Sequence, residues 1–169
     1  AKHDKRVWVR NVIAEDAGSI NNMLAGNYMY VFDSFVGDAR SDSVEILVGP
    51  GQISRTTVKV DAKTGYGLST DAANNVQLND NLLHVTNTGE VSQSLVRTWA
   101  GFRGNQINDN LMYVEPNGQV NRILEMNTME SLAAGNLVRG LYAAGWEANA
   151  NSQATENYLP HIIPQPLED

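Results

Sequence analysis

The sequence predicts a mainly β protein, a single-domain antiparallel β-sandwich or barrel with a duplicated hairpin, one short helix and extended terminal arms. Three observations carry that prediction. Residues 77–91 (QLNDNLLHVTNTGEV) return as residues 106–120 (QINDNLMYVEPNGQV), with the same Asn-Asp-Asn opening, the same valine and the same glycine. Runs rich in β-branched and aromatic residues alternate with Asn, Gly and Pro, the punctuation of strands and turns. A chain of 169 residues with 42% hydrophobic content buries one sizeable core rather than two.

Taken in order, residues 6–13 (RVWVRNVI) and 27–36 (NYMYVFDSFV) read as strands bounded by polar or glycine positions. Residues 43–60 read as a hairpin, because Pro50-Gly51 suits the centre of a type II turn: proline fixes φ and glycine accepts a positive φ. Residues 61–75 (DAKTGYGLSTDAANN) are polar and glycine-containing and read as a long loop. In the first copy, strands 82–86 and 90–96 flank Asn87-Thr88-Gly89; in the second, strands 111–115 and 119–124 flank Pro116-Asn117-Gly118. Asn and Gly tolerate the backbone of a tight hairpin, and the Asn-Asp-Asn openings can hydrogen-bond their own backbone. Residues 27–31 resemble the copies more faintly, and two copies are too few for a solenoid or propeller.

Asn127 followed by Glu130 matches a helix cap, which predicts a short helix over 128–134 ended by Gly135-Asn136. Residues 137–146 have helical apolar spacing, yet Gly140 and Gly145 each cost about 1 kcal/mol in a helix, so a strand or irregular segment is equally expected. From Glu147 onward, small polar residues and three prolines cannot make a packed element of their own. The expected organisation is one domain over 1–147, whose first six residues form an arm, followed by a carboxyl-terminal arm over 148–169.

The composition excludes several functions. A formal net charge of -7 with scattered Lys and Arg argues against nucleic-acid binding. Without cysteine there is neither a disulfide framework nor a thiolate metal site. No signal peptide or membrane-spanning run is expected, and the start at Ala1 suits removal of an initiator methionine. No nucleophile, phosphate-loop or metal-protease pattern occurs, and His3, His84 and His161 are far apart. His84 stands where the second copy has Tyr113, so it reads as a strand residue with an aromatic role. Asp33, Asp38 and Asp42 read as turn and loop residues rather than calcium ligands, and Asp80 and Asp109 as capping residues, since each copy offers only one carboxylate. Trp8, Trp99, Phe102 and Trp146 read singly as core or interface residues. Catalytic residues, cofactor and metal are all expected to be absent.

A small, acidic, cysteine-free, asparagine-rich β chain with arm-like termini resembles the structural proteins of tailed-bacteriophage virions, in particular the head decoration or cement proteins. That resemblance implies a non-enzymatic protein present in many copies, assembled in the host cytoplasm and resident in the virion. Its partners would be itself and a major capsid protein, with no direct nucleic-acid recognition and no membrane. On this expectation Lys2, Lys5 and Arg6 would meet an acidic neighbour, and Tyr158, Leu159, Ile162 and Ile163 would be the apolar anchors of the arm. A tail tube subunit forming stacked hexameric rings is the first alternative, supported by negative charge and the long loop over 61–75. A glycan-binding or glycan-cleaving module is the second, with Trp platforms and Asp33 with Asp38 as acid and base.

Overall fold

A computed structural model describes residues 5–15, 23–37, 39, 41–61, 65–86, 92–99, 103–116, 120–127, 130–140, 142–148 and 153–155. Every regular element among them is a strand, and every strand pairing is parallel. The chain winds as a β-solenoid in coils of three strands. β1 (Val7–Arg10), β2 (Ile13–Ala14) and β3 (Leu24–Asn27) are followed by β4 (Met29–Phe32), β5 (Phe35–Val36) and β6 (Asp42–Val48). Next come β7 (Gly51–Ser54), β8 (Thr57–Val60) and β9 (Tyr66–Ala72), then β10 (Val76–Asn79), β11 (Leu82–Val85) and β12 (Ser92–Thr98). β13 (Gln106–Asn108), β14 (Leu111–Val114) and β15 (Val120–Met126) precede β16 (Leu132–Ala134), β17 (Leu137–Arg139) and β18 (Tyr142–Ala148), and β19 (Gln153–Thr155) closes the series. Like members of successive coils stack into sheet A, β1-β4-β7-β10-β13-β16-β19, sheet B, β2-β5-β8-β11-β14-β17, and sheet C, β3-β6-β9-β12-β15-β18.

The antiparallel sandwich or barrel is therefore overturned. The two sequence copies are not hairpins but neighbouring coils, with Leu78 against Ile107 in sheet A and Leu83 against Met112 in sheet B. Pro50-Gly51 does not close a hairpin either. The Gly49-Pro50 bond is cis, and β7 leaves β6 behind to pair with β4 and β10. The predicted loop 61–75 contains β9, and the predicted helix 128–134 contains β16, whose opening residue follows Glu130 at φ 51°. Of the expected carboxyl-terminal arm, Gln153–Thr155 lies beside β16 as a strand.

Burial explains the parallel stacking. Alternate residues of sheets A and B point inward, and sheet C adds buried side chains without strict alternation, so every coil shares one apolar core that no single coil can close. In sheet A the inward column runs Val31, Ile53, Leu78, Ile107, Ala133; in sheet B it runs Val36, Val58, Leu83, Met112, Val138. All ten are fully buried. Sheet C supplies Ile46, Thr70, Thr98 and Met126, two of them polar, which is why β9 reads as a loop in the sequence.

The corner between sheets A and B fixes the coils to one another. It has two residues in each coil. The first takes positive φ: Asn11 at 52°, Asp33 at 51°, Arg55 at 50°, Asp80 at 58°, Asp109 at 55° and Gly135 at 67°. Asn, Asp and Gly enter this region most easily, and Arg55 is the exception. Its guanidinium grips Asp33 with two parallel bonds, Nε to Oδ1 at 2.7 Å and Nη2 to Oδ2 at 3.0 Å.

The second corner residue is the half-buried Val12 in the first coil and is buried and polar in the next five: Ser34, Thr56, Asn81, Asn110, Asn136. Each asparagine hydrogen-bonds into neighbouring coils rather than to its own turn. Asn110 Nδ2 donates to Leu78 O at 2.8 Å and to Asn136 Oδ1 at 2.9 Å, while Asn110 Oδ1 accepts from Asn81 N and Asn81 Nδ2, both at 3.0 Å. Asn81 and Asn136 repeat the pattern, donating to Ile53 O at 2.9 Å and Ile107 O at 2.7 Å. Thr56 N donates to Asn81 Oδ1 at 3.1 Å, extending the ladder. A carboxamide can donate two and accept two hydrogen bonds, and Asn110 makes all four.

Candidate functional site

The outward side chains of the described residues lie on three long faces, one on each sheet. Among the described residues no group of three or more His, Asp or Glu side chains is placed to hold a metal ion. Function therefore depends on what each face presents.

Sheet B presents an apolar stripe. Ile13, Phe35, Thr57, Leu82, Leu111 and Leu137 lie in register down six strands, with Ile13 77% and Leu111 41% exposed. The neighbouring outward column is Lys59, His84, Tyr113, Arg139. His84 does sit against Tyr113, ring centroids 5.5 Å apart, and its Nε2 lies 2.7 Å from Glu115 Oε1. The ring is half-buried and belongs to the outward face of sheet B.

Sheet C presents charge. Two adjacent columns hold Asp42, Tyr66, Ser94, Arg122 and Glu45, Ser69, Arg97, Glu125. Arg97 is sandwiched between the rings of Tyr66, 3.9 Å away, and Trp99, 4.0 Å away. Ser94 Oγ donates to Glu125 Oε2 at 2.8 Å, and Asn127 Nδ2 to Glu125 Oε1 at 2.8 Å. Arg122 also pairs with Glu125 at 3.6 Å along its own strand.

Asp42 stands apart in this group. It is 6% exposed, and burial pushes its carboxyl above the usual carboxylate range, against the opposing effects of the Ser69 hydroxyl and Arg97. Ser69 Oγ donates to Asp42 Oδ2 at 2.5 Å. Because the folded chain holds this proton more tightly than the unfolded chain, the stability contributed is complete below the ordinary value of 3.8 and is lost as pH rises through the raised one. Asp42→Asn is therefore expected to raise the urea midpoint at pH 7 and to leave it unchanged near pH 3. A variant that loses stability at pH 7 relative to pH 3 contradicts this account.

Sheet A presents amides and aromatics. One outward column runs Trp8, Tyr30, Gln52, Gln77, Gln106, and the next runs Arg10, Phe32, Ser54, Asn79, Asn108. Trp8 stacks on Tyr30 at 4.7 Å and on Phe32 at 5.9 Å. Arg10 lies 5.3 Å from the Trp8 ring and Arg6 5.8 Å from it.

The residues expected to carry function are dispersed. Lys5 and Arg6 lead into β1, both exposed, with Arg6 over Trp8. Lys2, Tyr158, Leu159, Ile162 and Ile163 lie outside the described residues, as do His3, His161, Asp38 and Phe102. Trp146 is in β18. Asp33 is ion-paired at a corner, where the hydrogen bond from Arg55 holds its carboxyl below the usual range and so unsuited to donate a proton as a general acid. Sequence reasoning missed the outward leucines of sheet B and the glutamines of sheet A. The signal was present in both copies: QLN with QIN, and LLHV with LMYV, differ only where period-two alternation turns a residue in or out.

Compared with protein families, curated proteins and solved structures, the chain gives no significant match to any of them.

Proposed function

We propose that this protein is a non-enzymatic structural component that associates with copies of itself through the outward face of sheet B. The observation that carries the reading is the apolar stripe Ile13, Phe35, Leu82, Leu111, Leu137, interrupted only by Thr57. At about 4.8 Å per strand the stripe runs for roughly 24 Å. A continuous apolar strip of that length is costly in water and characteristic of a contact surface. A second copy is the occupant the face fits, because a twofold axis parallel to the solenoid lays each stripe residue, Leu82, Leu111 and Leu137 among them, against its own counterpart.

The expectation of a capsid decoration protein is retained only as self-association in many copies, with the phage-head setting left out because nothing found supports it. The tail tube alternative drew on the negative charge and on a long loop over 61–75, and that segment holds strand β9.

Light scattering on the purified chain tests the proposal. A dimer or larger closed oligomer is expected, and Leu111→Glu is expected to weaken it at least tenfold while circular dichroism and thermal unfolding of the subunit stay unchanged. A monomeric wild-type chain, or an oligomer indifferent to Leu111→Glu and Ile13→Glu, overturns it.

A further inference from the structure

We infer that the outward face of sheet A is a binding surface for a neutral, extended polysaccharide of the β-1,4-linked type. This inference stands apart from self-association, which uses a different face.

Charge is the first ground. The sequences of β4, β7, β10, β13, β16 and β19 contain no Asp, Glu, Lys or Arg, and Arg10 of β1 is the one charged residue in the strands of the sheet. Sheets B and C both carry charges in their outward columns. The cations near it, Arg6, Arg10 and Arg55, gather over Trp8 and Phe32 at the amino-terminal end, and the glutamine part of the face, in a chain where 18% of residues are charged, has no strand cation with which to hold a phosphate or carboxylate polymer. The exposed Asp80 and Asp109 at its corner repel them further.

Hydrogen-bonding chemistry is the second ground. Gln77 and Gln106 are exposed and in register, and Gln52 precedes them in the same column. A carboxamide offers donors and acceptors together, as a sugar hydroxyl requires. Beside them, Asn79 Oδ1 and Asn108 Oδ1 are buried without a partner. An unmet buried acceptor is unfavourable, and rotation of the carboxamide toward a ligand hydroxyl relieves it.

Geometry is the third. Neighbouring strands are about 4.8 Å apart, close to the advance of one ring along an extended β-1,4-linked chain, so a polysaccharide lying along the axis meets Gln52, Gln77 and Gln106 on successive sugars. At the amino-terminal end of the column the stacked rings of Trp8 and Tyr30, with Trp8 50% exposed, offer apolar surface to the C–H face of a sugar.

Affinity electrophoresis of the full chain in native gels containing hydroxyethylcellulose tests the inference, with polygalacturonate gels as the anionic comparison. Retardation by hydroxyethylcellulose alone is expected. Gln77→Ala with Gln106→Ala is expected to weaken it about tenfold or more. Trp8→Ala also weakens it, and Leu111→Glu leaves it unchanged. The inference fails if hydroxyethylcellulose does not retard the protein, if polygalacturonate retards it equally, or if neither the glutamine pair nor Trp8→Ala alters the retardation.

Discussion

Asn110→Ala is expected to destabilise the fold by about 3–5 kcal/mol, far beyond what an ordinary surface change does. The side chain is 1% exposed and occupies the middle of the corner ladder. Its removal strips the acceptor from Asn81 N and the second acceptor from Asn81 Nδ2, and leaves Leu78 O and Asn136 Oδ1 each one donor short. Four buried groups are affected in the interior of the solenoid, where water cannot easily replace the carboxamide. Urea unfolding followed by circular dichroism measures the loss. A change below about 1 kcal/mol means that water does enter the corner and that the ladder contributes little.

The second large effect concerns the width of the core. Gly67 lies where a Cβ would stand 2.8 Å from Leu95 O, 2.9 Å from Leu83 Cδ2 and 3.2 Å from Val60 Cγ2. Sheet C is bare at this point, and Leu83 reaches across from sheet B into the space. Gly67→Ala is expected to cost about 1–3 kcal/mol by overpacking, and Leu83→Ala about 2–5 kcal/mol by leaving a cavity. Combined, they are expected to cost less than their sum, because the new methyl occupies volume that Leu83 vacates. The collision with the Leu95 carbonyl is backbone and persists, so rescue is partial. Strict additivity in a double-mutant cycle shows that the two residues do not share that space.

How much of this was legible in the sequence depends on which contact is asked about. The strand segments LLHV and LMYV were readable, because alternation and β-branched content report a half-buried strand whatever it pairs with. The pairing was not. An Asn or Asp at positive φ serves a hairpin and a solenoid corner equally well, so Asp80 and Asp109 carry no sign of where the chain goes next. The bonded partner of Asn110 is 26 residues away in one direction and 29 in the other. Toward the amino terminus the same corner spacing becomes 25 and then 22. Unequal loops at the other corners hide the period that marks a repeat, and only the two most alike coils were visible as copies. The helix over 128–134 failed for a related reason: Asn127 and Glu130 have the spacing of a cap, yet Leu132 and Ala133 are held by register against Gln106 and Ile107. Of the candidate surfaces, the glutamine column was written in QLN and QIN, but its continuity with Trp8 and Tyr30 exists only once the coils are stacked.

The two-residue corner between sheets A and B keeps the same length in every described coil, from Asn11-Val12 to Gly135-Asn136, while the chain between sheets B and C does not. That difference divides the molecule into a spine that sets its pitch and a margin that is free to vary. Growth by tandem duplication is compatible with such a spine: a whole coil spliced in at the corner lengthens the rod and each face by one rung, without altering the cross-section. Residues 77–91 and 106–120, which agree at eight of fifteen positions, have the form such an event would leave, and Ser34 and Thr56 hold the same corner position with a polar side chain other than asparagine.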